Sequence, residues 1–221
     1  MKQALVVGLG MFGMSLAREL TDRKVEVLCI DKDPDLVQSA SDIVSEALCV
    51  DGTDESALAD LRPERRDLCI CAIGEDSRDA SIVCTALLRQ LGARHILARS
   101  YDPLHERILR LVGAHEVVDP ERAFGRRLAA RLAFRGVLDQ IPLGHDLEIS
   151  EIAVPRAFIG KSLRELELPK RFGVFVVALR GAEDEQSNMR MPDADAGLEN
   201  RDVLILASGR GSLERMMEKL G

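Results

Sequence analysis

The sequence contains no tryptophan and one tyrosine, and aromatic residues make up 3% of its 221 residues. Aromatic platforms on which bases stack are therefore not indicated. No uninterrupted apolar stretch approaches the roughly 18–20 residues that span a bilayer, so we expect no transmembrane segment. A net charge of −7 argues against a partner that is nucleic acid. Apolar residues nevertheless reach 46%, which is enough for a packed core.

The usual groups of metal-binding and catalytic residues are also missing. The four histidines have no metal-ligand spacing and form no recognisable nucleophile set, so we expect surface or helix-end positions for them. Five cysteines, an odd number, lie mostly in apolar runs without a C-x-x-C pattern: Cys29, Cys49, Cys69, Cys71 and Cys84. Buried, reduced thiols are the expected state. The sequence thus favours a protein that is not an enzyme.

The amino-terminal segment could be mistaken for a signal peptide, because Lys2 precedes the apolar stretch Ala4–Ala17. Three regularly spaced glycines interrupt that stretch, and its start is typical of a first core strand. We therefore expect a cytoplasmic protein.

Short apolar runs recur along the first half of the chain, most of them starting about 21 residues apart. They are Ala4–Val7, Val25–Ile30, Ala47–Val50, Leu68–Ile73, His95–Ala98 and Glu116–Val118. Continuous apolar runs are typical of strands buried on both faces. Helix signals separate them, including Asp33-Pro34, Asp119-Pro120 and the apolar spacing of Asp76–Leu91. The pattern predicts an α/β fold with a Rossmann-like, doubly wound parallel sheet.

A longer helix is predicted from about Glu121 to Asp139, broken by the segment 141–144. Phe124, Leu128 and Leu132 recur every four residues along it. Arginines occupy much of the remaining surface: Arg122, Arg126, Arg127, Arg131 and Arg135. Two interpretations stay open, a solvated helix surface and a docking patch for an acidic partner.

After the break, the pattern predicts a small α+β domain. The expected elements are strand Leu147–Val154, helix Ser162–Leu166, strand Val174–Leu179, polar loop Gly181–Asn200, strand Val203–Ala207 and helix Leu213–Leu220. We predict two domains, residues 1–140 and 141–221. The second is near the lower size limit for a self-standing core.

A glycine motif at the start of the chain indicates nucleotide binding. Gly8, Gly10 and Gly13 fit G-x-G-x-x-G directly between the first strand and the first helix. These glycines permit a tight turn, close approach of a phosphate and close packing of helix on strand. Asp31 ends the second strand, where a carboxylate can accept hydrogen bonds from ribose hydroxyls. The sequence therefore predicts an adenine-nucleotide site.

Two further loops follow strands of the same sheet. Asp51-Gly52-Thr53 comes after the third strand, and Ala72-Ile73-Gly74-Glu75 comes after the fourth. Ligands in open α/β sheets bind at the carboxyl ends of strands, where such loops meet. Ordinary polar turns are the alternative interpretation of both loops.

With these motifs in place, the chain resembles the KTN/RCK family of regulators of K⁺ conductance. The resemblance is carried by VVGLGMFGMSLARELTDRKVEVLCIDKD, CVDGTDESAL, CAIGEDSRDASIVCTALLRQLGA and VGAHEVVDPERAFG in the first half. FIGKSLRELELPKRFGVFVVALRG and ENRDVLILASG carry it in the second half. It implies an RCK amino-terminal domain, a crossover helix and an RCK_C domain.

The resemblance also implies site residues. Those expected to bind the nucleotide (ATP/ADP or NAD/NADH) are Gly8, Gly10, Met11, Phe12, Gly13, Asp31, Lys32, Asp51, Gly52, Thr53, Ala72, Ile73, Gly74, Glu75 and Arg99. Glu121 matches a glutamate that can approach a divalent cation (Mg²⁺ or Ca²⁺) between paired subunits. Met11 departs from the family, because many ATP-responsive members have arginine there, and this leaves ADP, AMP and NAD(H) open.

The function that the resemblance implies is regulation. Family members dimerise and assemble into rings, commonly octamers, on the cytoplasmic face of a K⁺-translocating membrane subunit. The expected function is a gating subunit that senses adenine nucleotides. A small NAD-dependent oxidoreductase and a ring-forming sensor for another transporter are the alternatives.

Overall fold

The computed structural model describes residues 2–144, 146–181 and 189–220. They form two compact units, Met1–Glu121 and Arg122–Gly221. The units divide within a helix, whereas the division predicted from sequence at residue 140 followed the change of pattern beyond that helix. Among the described residues, no helix combines the length and the apolar character needed to cross a lipid bilayer.

The first unit is built on six strands, which are β1 Gln3–Val7, β2 Glu26–Asp31, β3 Glu46–Cys49, β4 Leu68–Cys71, β5 Ile96–Arg99 and β6 Glu116–Val118. They form a parallel sheet in the order β3-β2-β1-β4-β5-β6. The prediction of a doubly wound, Rossmann-like sheet is confirmed. The strand order reverses between β1 and β4, which is where open α/β sheets bind their ligands.

Helices α1 Met11–Asp22, α2 Pro34–Ser41, α3 Glu55–Asp60, α4 Arg78–Gln90 and α5 Pro103–Leu111 connect these strands. Aspartates fix several of their starts: the side chains of Asp33, Asp54 and Asp102 accept hydrogen bonds from first-turn backbone N–H groups. Pro34 and Pro103 occupy the first helical position, where a missing N–H costs nothing.

Apolar side chains cover both faces of the sheet. Leu5 and Val7 of β1 face one core, while Val6 faces the other. Burial raises the pKa of the Cys29 and Cys69 thiols to about 12, so both stay protonated. Cys49 differs from the expectation because it is exposed at the end of edge strand β3.

His105 is one of the histidines expected at a surface or helix end. It lies in the first turn of α5, yet it is fully buried. Its Nε2 lies 2.9 Å from Ser81 Oγ, and Ser81 Oγ donates to the Arg78 carbonyl, so His105 Nε2–H is the donor of the pair. Burial lowers the pKa of His105, so the imidazole is uncharged at pH 7. His145 lies outside the described residues.

The described strands of the second unit are β7 Val137–Leu143, β8 Leu147–Ala153, β9 Val174–Gly181, β10 Met189–Arg190 and β11 Asp202–Gly209. They form an antiparallel sheet in the order β10-β9-β11-β8-β7. Helices α7 Leu163–Leu166, α8 Leu168–Phe172 and α9 Ser212–Leu220 accompany them. The predicted α+β domain is confirmed, and residues 182–188 of its predicted polar loop lie outside the described residues.

The predicted helix Glu121–Asp139 is wrong at its carboxyl end. Helix α6 spans Pro120–Ala133, and strand β7 begins at Val137. Gly136 lies between them with φ 94°, a conformation that ends a helix and favours glycine. Residues 141–143 therefore belong to a strand paired with β8 and do not break a helix.

Candidate functional site

A cleft opens at the carboxyl ends of strands β1, β2, β3 and β4. Its lining residues are Val7, Gly8, Gly10, Ile30, Asp31, Lys32, Val50, Asp51, Gly52, Thr53, Ile73, Gly74, Ser77 and Ala80. The structure thus gathers residues from four separate predicted segments in one place. Sequence analysis missed the apolar floor of Val7, Ile30 and Val50, and also Ser77 and Ala80 near the start of α4. Val7, Ile30 and Val50 are the last residues of the apolar runs Ala4–Val7, Val25–Ile30 and Ala47–Val50, and this is the signal that would have indicated them.

The glycine loop leaves no room for side chains at two of its three glycines. Gly8 has φ 97°, and a Cβ there would come within 2.9 Å of the Ala72 and Ile73 backbone. A Cβ on Gly13 would lie 1.9 Å from the Gly8 carbonyl oxygen. Around Gly10, by contrast, nothing lies within 4 Å of such a Cβ. The open space at Gly10 faces the cleft at the start of α1, where free N–H groups attract an anion.

Asp31 ties the glycine loop to the end of β2. Its Oδ2 accepts a hydrogen bond from the Leu9 N–H at 2.6 Å, and its Oδ1 accepts one from the Asp33 N–H at 2.9 Å. A carboxylate has about four lone-pair sites, so each oxygen keeps capacity for another donor. Asp31 is therefore held in place by the backbone and can still accept hydrogen bonds from a group in the cleft.

The loop after β3 is ordered by Asp51. Its Oδ1 accepts the Thr53 N–H at 2.8 Å and the Thr53 hydroxyl at 2.7 Å. These two hydrogen bonds lower the pKa of Asp51 below its ordinary value of 3.8. Gly52 between them lies against β1, because a Cβ there would come within 2.5 Å of Val7 Cγ1. The loop holds a negative charge at the rim of the cleft.

Substituting Thr53 by valine is expected to raise the pKa of Asp51 toward its ordinary value, because one of the two hydrogen bonds to the carboxylate is lost. A depressed pKa contributes stability above the unfolded pKa, and the contribution disappears as pH falls through the folded pKa. In the valine variant, the stabilisation that the ionised Asp51 carboxylate gives to the loop after β3 should therefore be lost at a higher pH than in the unmodified chain. An NMR pH titration of the Asp51 carboxyl carbon measures the shift. Thr53→Ser keeps the hydroxyl and is the control, and identical Asp51 titrations in all three proteins would contradict the assignment.

The loop after β4 supplies the opposite wall. Ala72 is buried beside Gly8, and Ile73 and Gly74 line the cleft. Glu75 begins the short 3-10 helix Glu75–Ser77, and its side chain lies outside the described part of the chain. The Tyr101 hydroxyl donates a hydrogen bond to the Ile73 carbonyl, which fastens this wall to the segment after β5. Tyr101 was not among the predicted site residues.

The remaining predicted residues do not line the cleft. Met11 is 92% exposed at the start of α1. The Arg99 guanidinium lies 5.4 Å from the centre of the Phe12 ring and donates a hydrogen bond to the Glu121 carboxylate. Glu121 is thus held in an ion pair, and over the described ranges no group of three or more His, Cys, Asp or Glu residues is arranged to hold a metal.

Fold and cleft together define a two-part protein, in which a Rossmann-type unit with a cleft at its strand ends is followed by a small unit with an antiparallel sheet. The TrkA-N domain model matches residues 4–120, and the TrkA-C domain model matches residues 147–221. The chain therefore belongs to the TrkA-N/TrkA-C family, which confirms the resemblance found in the sequence.

Individual relatives agree with this assignment. The chain is 33% identical to the Ktr system potassium uptake protein A of Vibrio alginolyticus, covering 99% of this chain and 98% of that one. It is also 33% identical to the Ktr system potassium uptake protein C of Bacillus subtilis, covering 99% and 97%. The solved RCK domain of GsuK superposes on 100% of this chain with a TM-score of 0.67 and 23% identity, which shows a shared fold. This chain spans 48% of the length of that structure.

Proposed function

We propose that this protein is the cytoplasmic regulatory subunit of a potassium uptake system and that it senses an adenine nucleotide. The observation that carries the proposal is full-length similarity to two Ktr potassium uptake proteins. The partner is a K⁺-translocating membrane subunit, and the protein acts at the inner face of the membrane as a homodimer assembled into an octameric ring.

The cleft supports the nucleotide part of the proposal. Val7, Ile30 and Val50 offer an apolar surface suited to a base, and Asp31 has free lone pairs for ribose hydroxyls. The uncrowded Gly10 and the start of α1 suit a phosphate. The residues present fit ADP, ATP or NAD(H), since all three share an adenosine with free ribose hydroxyls.

Regulation follows if the ligand binds one conformation of the subunit better than another. Only this differential affinity can shift a conformational equilibrium and perform work on a pore. A second ligand fits the same scheme, because Glu121 can bind a divalent cation once its carboxylate is released from Arg99. We do not propose an enzyme: the ionisable side chains described in the cleft lining are Asp31, Lys32 and Asp51, and Asp31 and Asp51 are engaged with the backbone.

Native mass spectrometry of the purified protein tests assembly and ligand together. We expect an octamer that retains an adenine nucleotide or takes one up, and a raised melting temperature with ATP, ADP or NADH. A monomer whose melting temperature is unchanged by all three nucleotides would contradict the proposal. A substrate-dependent change in NADH absorbance would instead support the oxidoreductase alternative.

A further inference from the structure

Arg99 ends β5 in a position where three parts of the first unit meet. Its side chain is 15% exposed, and its guanidinium lies 5.4 Å from the centre of the Phe12 ring and 5.0 Å from that of Tyr101. A guanidinium over aromatic faces is held by cation–π attraction. Its Nη2 donates to Glu121 in the first turn of α6. Arg99 therefore contacts the start of α1, the segment after β5 and the start of α6.

One donor of Arg99 has no acceptor. The Nε atom is buried and makes no hydrogen bond within the described residues. A guanidinium carries five N–H donors in a fixed fork, and a buried donor left without an acceptor is unfavourable. Glu121 alone therefore does not provide acceptors for all the N–H donors of the Arg99 guanidinium, and the unpaired Nε–H favours a further anionic acceptor.

The two rings beside Arg99 connect it to the cleft. Phe12 belongs to the first turn of α1, whose N-terminal N–H groups lie at the phosphate end of the proposed site. The Tyr101 hydroxyl holds the carbonyl of Ile73, which lines the opposite wall. A nucleotide phosphate at the start of α1 would thus come close to this guanidinium.

We propose that a nucleotide phosphate and the Glu121 carboxylate compete for Arg99, so that ligand binding releases the first turn of α6. The inference rests on the proposed nucleotide site and names the residue pair that regulates it. Glu121 is 62% exposed on its side chain, and ion pairs with an exposed partner are weak. Glu121 accepts from Nη2 alone, whereas a phosphate, with its greater negative charge, can accept from Nη2 and the unpaired Nε together, so it displaces the carboxylate.

Competition predicts that removing the charge of Glu121 strengthens nucleotide binding. Glu121→Gln is expected to lower the Kd of ADP about two- to fivefold, since Arg99 no longer has to leave a carboxylate. Arg99→Gln is expected to raise that Kd about tenfold or more, because a charged hydrogen-bond donor is lost. In the Arg99→Gln background, Glu121→Gln should have no further effect.

Isothermal titration calorimetry with ADP, in buffer containing EDTA to exclude divalent cations, measures all four proteins of this cycle. Glu106→Gln is the matched control. The Glu106 carboxylate forms an ion pair with Arg110 on α5, with an N–O distance of 2.9 Å, and neither residue lines the cleft. This control should bind ADP like the unmodified chain. Hydrogen exchange of the α6 first-turn amides gives an independent measurement, and it should accelerate with ADP in the unmodified chain and not in Arg99→Gln.

The outcomes separate this inference from the function on which it rests. If the unmodified chain binds none of ADP, ATP and NADH, the proposed nucleotide site is wrong. If ADP binds and Glu121→Gln leaves the Kd unchanged or raises it, the site stands and the competition is overturned. A lower Kd for Glu121→Gln that persists in the Arg99→Gln background also overturns it, because the gain then does not pass through Arg99.

Discussion

Alanine at position 13 is expected to destabilise the first unit by about 3 kcal/mol and to abolish ADP binding. Helix propensity alone predicts the opposite, because alanine is favoured over glycine in a helix by about 1 kcal/mol. Sterics decide the outcome: the added Cβ would lie 1.9 Å from the Gly8 carbonyl oxygen and 3.2 Å from Ala72 Cβ. Helix α1 must then move away from β1, which opens the glycine loop. Thermal or urea unfolding measures the loss.

Gly10→Ala is the matched control in the same loop. Its Cβ meets nothing within 4 Å, and Gly10 has an ordinary φ of −61°, so the fold should remain stable apart from a small loss at the helix start. The methyl group would occupy space in the cleft, so ADP binding should weaken while unfolding changes little. A Gly13→Ala protein that unfolds like the unmodified chain would contradict the packing argument.

Asparagine at position 31 is expected to weaken ADP binding about tenfold to a hundredfold, because charged hydrogen bonds to ribose hydroxyls are lost. The amide also fits the loop poorly. Both carboxylate oxygens accept backbone N–H groups, from Leu9 and Asp33, and an NH₂ group in place of either oxygen would face another donor. The Kd measured by calorimetry tests this expectation.

Asp42→Asn serves as the control, since Asp42 is an exposed residue of the same unit outside the cleft lining. It removes the same charge and should leave ADP binding unchanged. An unchanged Kd for Asp31→Asn, or an equal loss in both variants, would show that Asp31 does not contact the ligand and that only net charge matters.

The first unit was largely predictable because its signals are local. The runs Ala4–Val7 and Leu68–Ile73 mark strands β1 and β4, since residues buried on both faces of a sheet are apolar throughout. The pair Asp33-Pro34 marked the start of α2. Gly8, Gly13 and Asp31 marked the proposed site for the same reason, because each of these positions has a steric or hydrogen-bonding requirement that few residue types meet.

The junction after α6 could not be predicted in this way. Phe134, Val137 and Leu138 are compatible with a helix or with a strand. Strand β7 forms because its backbone pairs with β8, and this partner is not visible in the segment itself. The sequence pattern therefore extended a helix into residues whose structure depends on a distant neighbour.

Apolar periodicity and glycine spacing are visible in the local sequence, and they were enough to predict the fold class, the family and the loops that gather at the cleft. Which of the predicted residues line the cleft is known only from the packing of the folded chain. That packing placed Arg99 beside Phe12, Tyr101 and Glu121 and added Ser77 and Ala80 to the cleft. Side-chain contacts depend on how strands and helices that are far apart in the chain pack together, and no local sequence pattern specifies that packing.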